Sequence, residues 1–239
     1  FAKRRKIQPI GCASIRIREI RPEDFRIPAN PQSAGHDVIG LLPDAILTTH
    51  LHLALPRKDG LVLPDAANDI LKVAVIERHG RNGNIAAGFV KGFGFSQGAI
   101  ASSVGHDSHN ITVVGAGDED MALAVNIIRA NQGGYALVRN GEALGAFALP
   151  VAGLMSEKSF EEVCLELQNL REAAARVDSS RKAPMMMLAF LPLCVIPELK
   201  LTDFGLVRFN PPQDHGPVLI DDQRGQRRSA MPTPPALSP

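Results

Sequence analysis

Five consecutive polar side chains, His106-Asp107-Ser108-His109-Asn110, stand between two apolar runs. An imidazole titrates near neutral pH and can take or give a proton. A neighbouring carboxylate can orient it, and hydroxyl and amide groups can bond the polar edge of a ligand. His106, Asp107, Ser108 and His109 therefore carry side chains that could serve a ligand site. Asn110, with Ser102 and Ser103 from the preceding run, is a candidate for substrate binding. Burying so many polar groups without partners is costly, so the knot belongs in a loop where strands end beside a ligand or another domain. A turn in which His and Asp bond their own backbone accounts for the same pattern. His106 and His109, three residues apart, can reach one metal ion only if the turn is helical.

The chain has one His-x-His, at His50-Leu51-His52. Strand alternation puts both imidazoles on one sheet face, which suits a ligand pair and also a half-exposed strand. A catalytic metal site needs three or more protein ligands, and no matching set of acids and histidines follows, so no metal ligand is assigned. The zinc-deaminase pattern of His-x-Glu with Pro-Cys-x-x-Cys is absent, as are His-Glu-x-x-His and the phosphate-binding Gly-x-x-x-x-Gly-Lys-Ser/Thr. Gly92-x-Gly94-x-x-x-Gly98 is one residue too long for a dinucleotide loop and reads as a turn or a close backbone approach. Met185-Met186-Met187 reads as core filler.

The elements that position the knot are well marked. Strands are expected over Val38 to Gly40, Ile46 to Leu55, Ile70 to Glu77, Ile85 to Lys91, Ala99 to Val104 and Ile111 to Val114. Asp118, Glu119 and Asp120 open a helix carrying Met121, Val125 and Ile128 at helical spacing, and Gly133-Gly134 stops it. Tyr135 to Arg139 and Glu142 to Leu149 form a hairpin whose Asn140-Gly141 pair suits a type I′ turn. Ser159-Phe-Glu-Glu162 is a capping box for a helix to about Val177, with an apolar stripe of Phe160, Val163, Cys164, Leu167, Leu170 and Ala174. Alternation from Ala13 to Ile20 suggests a solvent-facing strand, and Arg176 to Lys182 a polar link. The fold class expected is α/β: a layered sandwich of mixed or antiparallel sheets with flanking helices, not a complete TIM barrel.

Composition bounds the function. At 239 residues, 45% hydrophobic and 21% charged, the chain can bury a real core. A net charge of +1 provides no field to steer nucleic acid or an anionic membrane, and one Tyr with no Trp gives little for stacking bases. Three widely spaced cysteines, Cys12, Cys164 and Cys194, suggest neither a disulfide framework nor a metal knuckle and fit a reducing cytoplasm. The opening residues lack the apolar stretch of a signal peptide. Ala183 to Leu199 is apolar but short and interrupted by prolines, so it reads as buried core and not as a membrane span. Position 1 is not Met, which points to part of a longer product.

The order of segments also carries a resemblance. Ala101-Ser-Ser-Val-Gly-His-Asp-Ser-His-Asn110 followed by Gly117-Asp-Glu-Asp-Met-Ala-Leu-Ala-Val-Asn126 resembles the C-terminal domain of adenine deaminases, in the metal-dependent amidohydrolase superfamily. Asp69 to His79, Gly88 to Gly94, Leu149 to Ser156 and Val195 to Asp203 agree with it. The likeness runs from about Val38 to Val207 and is weaker over the first 28 residues.

The resemblance implies three parts: residues 1–33 as a strand-rich segment and linker after a missing catalytic barrel, 34–209 as the C-terminal α/β domain, and 210–239 as a disordered tail. Beyond Val207 the family's closing acidic residue and short strand give way to Arg208 and a Pro-rich stretch, which fits a natural extension or a shifted reading frame, the abruptness favouring the second. By resemblance the parent enzyme hydrolyses adenine to hypoxanthine and ammonia in purine metabolism. Its manganese or iron is held by the N-terminal barrel, with no cofactor in this chain. The His50-Leu51-His52 segment falls where the family's C-terminal domain has an ordinary strand. By the resemblance His106, Asp107, Ser108 and His109 are candidate catalytic contributors to the barrel's site; otherwise the knot forms the domain interface or is a self-contained turn. The expected partners are adenine and the barrel, with room for a homo-oligomer, and the isolated chain is expected to be inactive. The alternative is a truncated, non-catalytic remnant or a docking module.

Overall fold

The computed structural model describes residues 10–176 and 184–223, and its centre is an eight-stranded sheet. In chain order the first strands are β1 (Ile27–Pro28), β2 (His36–Leu41), β3 (Thr48–Leu53), β4 (Arg57–Lys58) and β5 (Leu61–Val62). Then come β6 (Ile70–Ile76), β7 (Ile85–Lys91), β8 (Ala99–Ser102) and β9 (Ile111–Gly115). Helix α1 (Asp118–Ala130) leads to the hairpin β10 (Gly134–Arg139) and β11 (Glu142–Ala148). Helices α2 (Phe160–Arg176) and α3 (Pro184–Phe190) precede β12 (Leu199–Thr202), β13 (Gly205–Arg208) and β14 (Val218–Asp222).

The large sheet runs β11-β10-β8-β9-β6-β7-β2-β3, and β12-β13-β14 and β1-β5-β4 form two smaller sheets. Within the large sheet β2 and β7 are parallel and the other neighbours antiparallel. This is the mixed, layered α/β architecture the sequence predicts, without a closed barrel.

All of β6 is buried because it has a core on each face. Leu71, Val73 and Val75 face α2, α3, β12 and β13, while Ala74 and Ile76 face α1. Lys72 points toward α1, and its Nζ meets both carboxylate oxygens of Asp118 at 2.6 and 2.8 Å. That carboxylate, the first residue of α1, answers both a buried ammonium and the positive end of the helix. The hairpin turn is as read: Asn140 and Gly141 take φ of +52° and +77°. Gly92, Gly94 and Gly98 also have positive φ, and the Gly94 N–H bonds Asp69, so this stretch is a turn.

Four expectations change. Ala13 to Ile20 is not a strand in a ladder: it lies along α1, where Asn126 donates to the Ile20 carbonyl and accepts its N–H at 2.8 and 2.9 Å. Side chains of a helix replace the strand partner, and Ile15, Ile20 and Phe25 enter the core. In α2 the capping box forms, Ser159 N to Glu162 at 2.8 Å and Glu162 N to Ser159 at 3.3 Å. Only Leu170, Ala173 and Ala174 are buried, however, and Phe160 is 78% exposed, because the helix covers the sheet with its C-terminal half. The apolar stretch after the second helix is not all core: it includes α3, and Met186 and Val195 are exposed. Lastly, the expected tail from 210 contains β14, which pairs with β13, and Gln223 bonds the Ala87 N–H and carbonyl through its amide at 3.0 and 2.9 Å. Its apolar start, Val218-Leu219-Ile220, is short and set among Pro-rich and polar residues, so the stretch read as tail. Residues 1–9, 177–183 and 224–239, with the parts of the expected N-terminal segment, link and tail that fall there, lie outside the described residues.

Candidate functional site

The polar knot is the loop from β8 to β9, at one end of the large sheet. Its backbone is unusual: Asp107 and His109 adopt φ of +69° and +50°, which cost non-glycine residues free energy and persist when the surroundings hold them. The holders are identifiable. His79 Nε2 donates to the Ser108 carbonyl at 2.8 Å, and Arg78 Nε donates to the His109 carbonyl. On the other side His106 N donates to the Ala189 carbonyl at 3.0 Å.

Arg78 and His79 directly follow β6, and the loop after them is wrapped around Glu77. The Glu77 carboxylate accepts from the backbone N–H groups of His79, Arg81, Asn82 and Gly83 at 2.6, 2.9, 3.3 and 3.3 Å. Arg78 is 2% exposed and also reaches the Ser14 hydroxyl at 3.1 Å and the Ala152 carbonyl at 3.0 Å. Its guanidinium passes so close to Gly153, itself at φ +72°, that a β-carbon there would meet Nη1 at 2.7 Å. Burial lowers the Arg78 pKa from its ordinary value.

The predicted residues separate into two groups. His106, Asp107 and Ser108 are exposed, and the His106 ring stacks on Phe190 with centroids 4.2 Å apart. His109 is half-buried, and its Nδ1 accepts the Gly105 N–H at 3.3 Å. Burial first, then the charge of Arg78, holds this imidazole below its ordinary pKa, which favours the neutral form in which Nδ1 accepts. Asn110 is buried and gives its Nδ2 to Asp203, in the β12–β13 turn, at 3.1 Å. Burial, then the nearby Glu77, raises the Asp203 pKa.

Ser102 and Ser103 are buried and make internal bonds. Ser102 Oγ accepts from Val104 N at 2.9 Å; Ser103 Oγ donates to the Gly153 carbonyl at 2.6 Å and accepts from Gly134 N at 2.7 Å. The structure thus places His106, Asp107 and Ser108 on the surface, His109 at its margin, and Ser102, Ser103 and Asn110 underneath. Arg78, His79 and Asp203 were not singled out from the sequence. The available signal was the triplet Glu77-Arg78-His79 interrupting an apolar strand at its end.

His50 and His52 lie far from this loop in the sheet order, on edge strand β3. Both share one face, as alternation requires, and both bond Asp37 Oδ1, at 2.9 and 3.2 Å. Burial opposes ionisation of Asp37, but the bonds from these imidazoles hold its carboxyl below the usual value. Among the described residues no group of three or more His, Cys, Asp or Glu side chains is placed to hold a metal ion. No described helix is long and apolar enough to cross a membrane.

Residues 45–212, which contain the loop and all the strands beneath it, match the adenine deaminase C-terminal domain. The chain belongs to this family. The adenine deaminase of Sinorhizobium fredii (strain NBRC 101917 / NGR234) is 50% identical over 207 residues, covering 87% of this chain and 36% of the relative. Adenine deaminase 1 of Rhizobium meliloti (strain 1021) gives the same identity and coverage. The adenine deaminase of Gluconobacter oxydans (strain 621H) is 48% identical over 210 residues, again 36% of its length. The chain therefore spans about a third of the curated relatives it matches, as their C-terminal part. Strand β14 lies beyond the residues that match the adenine deaminase C-terminal domain.

Proposed function

We propose that this chain serves the hydrolysis of adenine to hypoxanthine and ammonia as the C-terminal domain of an adenine deaminase, with the His106–His109 loop contributing to a site in the preceding catalytic part. The names of its relatives support the reaction. The observation that carries the role of the loop is its mounting: buried Arg78 and half-buried His79 fix its backbone from below, while His106, Asp107 and Ser108 are exposed at the surface. Such pre-organisation suits a loop that meets a substrate or closes a site. The His106 imidazole can serve as a proton donor or acceptor, Asp107 can orient or charge-balance it, and Ser108 can bond a purine edge or exclude water.

Deamination in this superfamily uses manganese or iron to supply an activated water. The described residues offer no ligand set for it, so the proposal leaves the metal to the preceding part and assigns this chain no step through it. The wide spacing of Cys12, Cys164 and Cys194 suits the cytoplasm in which purine metabolism runs.

The test is adenine consumption, with manganese or ferrous iron, by three samples: this chain, the upstream part of the Sinorhizobium fredii relative, and the two joined. Turnover is expected only from the joined chain. An upstream part that works equally well without this domain, or a joined chain that does nothing, would refute the reading.

A further inference from the structure

We propose that the face built by α3 and the His106–Ser108 loop is the surface on which the polypeptide preceding this chain in its longer relatives docks. The proposal rests on the reading of the chain as the C-terminal domain of such an enzyme, and it names the contact surface that reading requires.

The face is apolar at its centre. Met186 is 59% exposed and stands one helical turn before Phe190, on the same side of α3. The His106 ring covers Phe190 at an interplanar angle of 27°, and His106 N is bonded to Ala189, so loop and helix form one surface. Val195, 55% exposed, extends it past Cys194, whose thiol pKa is raised by burial and by the charge of nearby Asp107. Exposed Met and Val side chains ringed by imidazole, carboxylate and hydroxyl have the mixed character of contacts between domains of one chain.

The occupant follows from where the chain enters. The Gly11 carbonyl accepts the Ala152 N–H at 2.9 Å, and Ser14 shares Arg78 with the His109 carbonyl. Ile10, the first described residue, is 91% exposed. The described chain therefore enters the domain at the same end of the sheet as the loop. In the relatives this chain accounts for 36% of the length, so a larger body has to be accommodated at that end. Of the other exposed apolar residues, Phe160 and Leu165 lie on α2, the helix against edge strand β11.

Native cysteines provide the test. Cys194 is half-buried within the proposed face and Cys164 is exposed on α2. Alkylation of each would be timed by mass spectrometry in the 239-residue chain and in the chain joined to the upstream part of the Sinorhizobium fredii relative. Docking should slow Cys194 by about tenfold or more in the joined chain and leave Cys164 within about twofold, since a covered thiol reacts only through opening. Met186→Asp with Val195→Asp should restore the Cys194 rate in the joined chain, and Phe160→Asp should not. Equal Cys194 rates in both chains would overturn the proposal. So would protection in the isolated chain that disappears on dilution, because a second copy would then be the occupant. Adenine turnover, read on the same samples, judges the functional reading separately: turnover with an unprotected Cys194 overturns the docking face only, and protection without turnover overturns the function only.

Discussion

Arg78, buried after β6, donates its Nε hydrogen to the backbone carbonyl of His109, thirty-one residues away in sequence. The two come from different loops at one end of the sheet, and no carboxylate is among the hydrogen-bond partners of the guanidinium. Its three acceptors belong to the His loop, the entering chain and the 150–155 turn. One side chain thus joins the three segments that frame the candidate site.

Replacing it should be felt first as lost stability. Arg78→Met leaves three acceptors unpaired and should cost about 3–5 kcal/mol, the scale for breaking a buried polar hub. The melting temperature should then fall by roughly 10 °C for a domain of this size. Arg78→Lys should recover only part of that, because a point charge on a flexible stem cannot span three separated acceptors. A melt within about 2 °C of the parent for Arg78→Met would show that the hub carries no stability.

The closing strand makes a second prediction. Two truncations, ending at Gln223 and at Gly216, differ by β14 and by the Gln223 amide that completes the edge of β7 at Ala87. The shorter should melt roughly 4–8 °C below the longer, corresponding to about 2 kcal/mol. Gln223→Ala in the longer form should reproduce part of the loss. Coincident melts would mean that β14 adds nothing to the fold.

Lys200 predicts a pH dependence. It is 1% exposed, donates to the Ile46 carbonyl at 2.9 Å, and burial lowers its pKa to about 8. Unfolded, a lysine titrates near 10.4. Below about 8 both states are protonated and the folded state carries the full cost of a buried ammonium. Between about 8 and 10.5 the unfolded state binds more protons, so this group's contribution to stability rises with pH. Denaturant unfolding of the parent and of Lys200→Met from pH 7 to 10.5 should show their stability difference shifting in the parent's favour across that window. A difference independent of pH would refute it.

What was legible in the sequence is what local chemistry decides. Asn140-Gly141 dictates its own turn, Ser159 and Glu162 cap their own helix, and the apolar runs of β6, β7 and β9 need no partner to be recognised. The His loop could be placed between strands for the same reason. Its supports were not legible, because Arg78, Ala189 and Asp203 reach it and its neighbour Asn110 from three distant segments. Ala13 to Ile20 alternates like a strand, but periodicity does not say whether its backbone will meet another strand or, as here, Asn126 of a helix. Ser102 and Ser103 looked like ligand groups by type, and only the fold reveals Val104 as the partner of Ser102 and Gly134 and Gly153 as the partners of Ser103.

The last prediction separates the two histidines of the loop, which the sequence could not distinguish. His106 is exposed on Phe190, whereas His109 uses Nδ1 to hold Gly105 and has its pKa lowered by burial and Arg78. In the joined enzyme His106→Asn should lower turnover about 10²-fold or more, the scale of a general acid or base, with the melting temperature within about 2 °C. His109→Asn should do the reverse: asparagine tolerates the positive φ there, but the fit of the ring is lost, so stability should fall by about 1 kcal/mol and turnover per folded molecule by less than about tenfold. His106→Phe adds a control, since it keeps an aromatic ring over Phe190 and cannot move a proton. If His106→Phe matches His106→Asn in turnover, the imidazole acts through its nitrogens. If it restores turnover, the ring serves only to pack α3, and the catalytic reading of His106 is withdrawn.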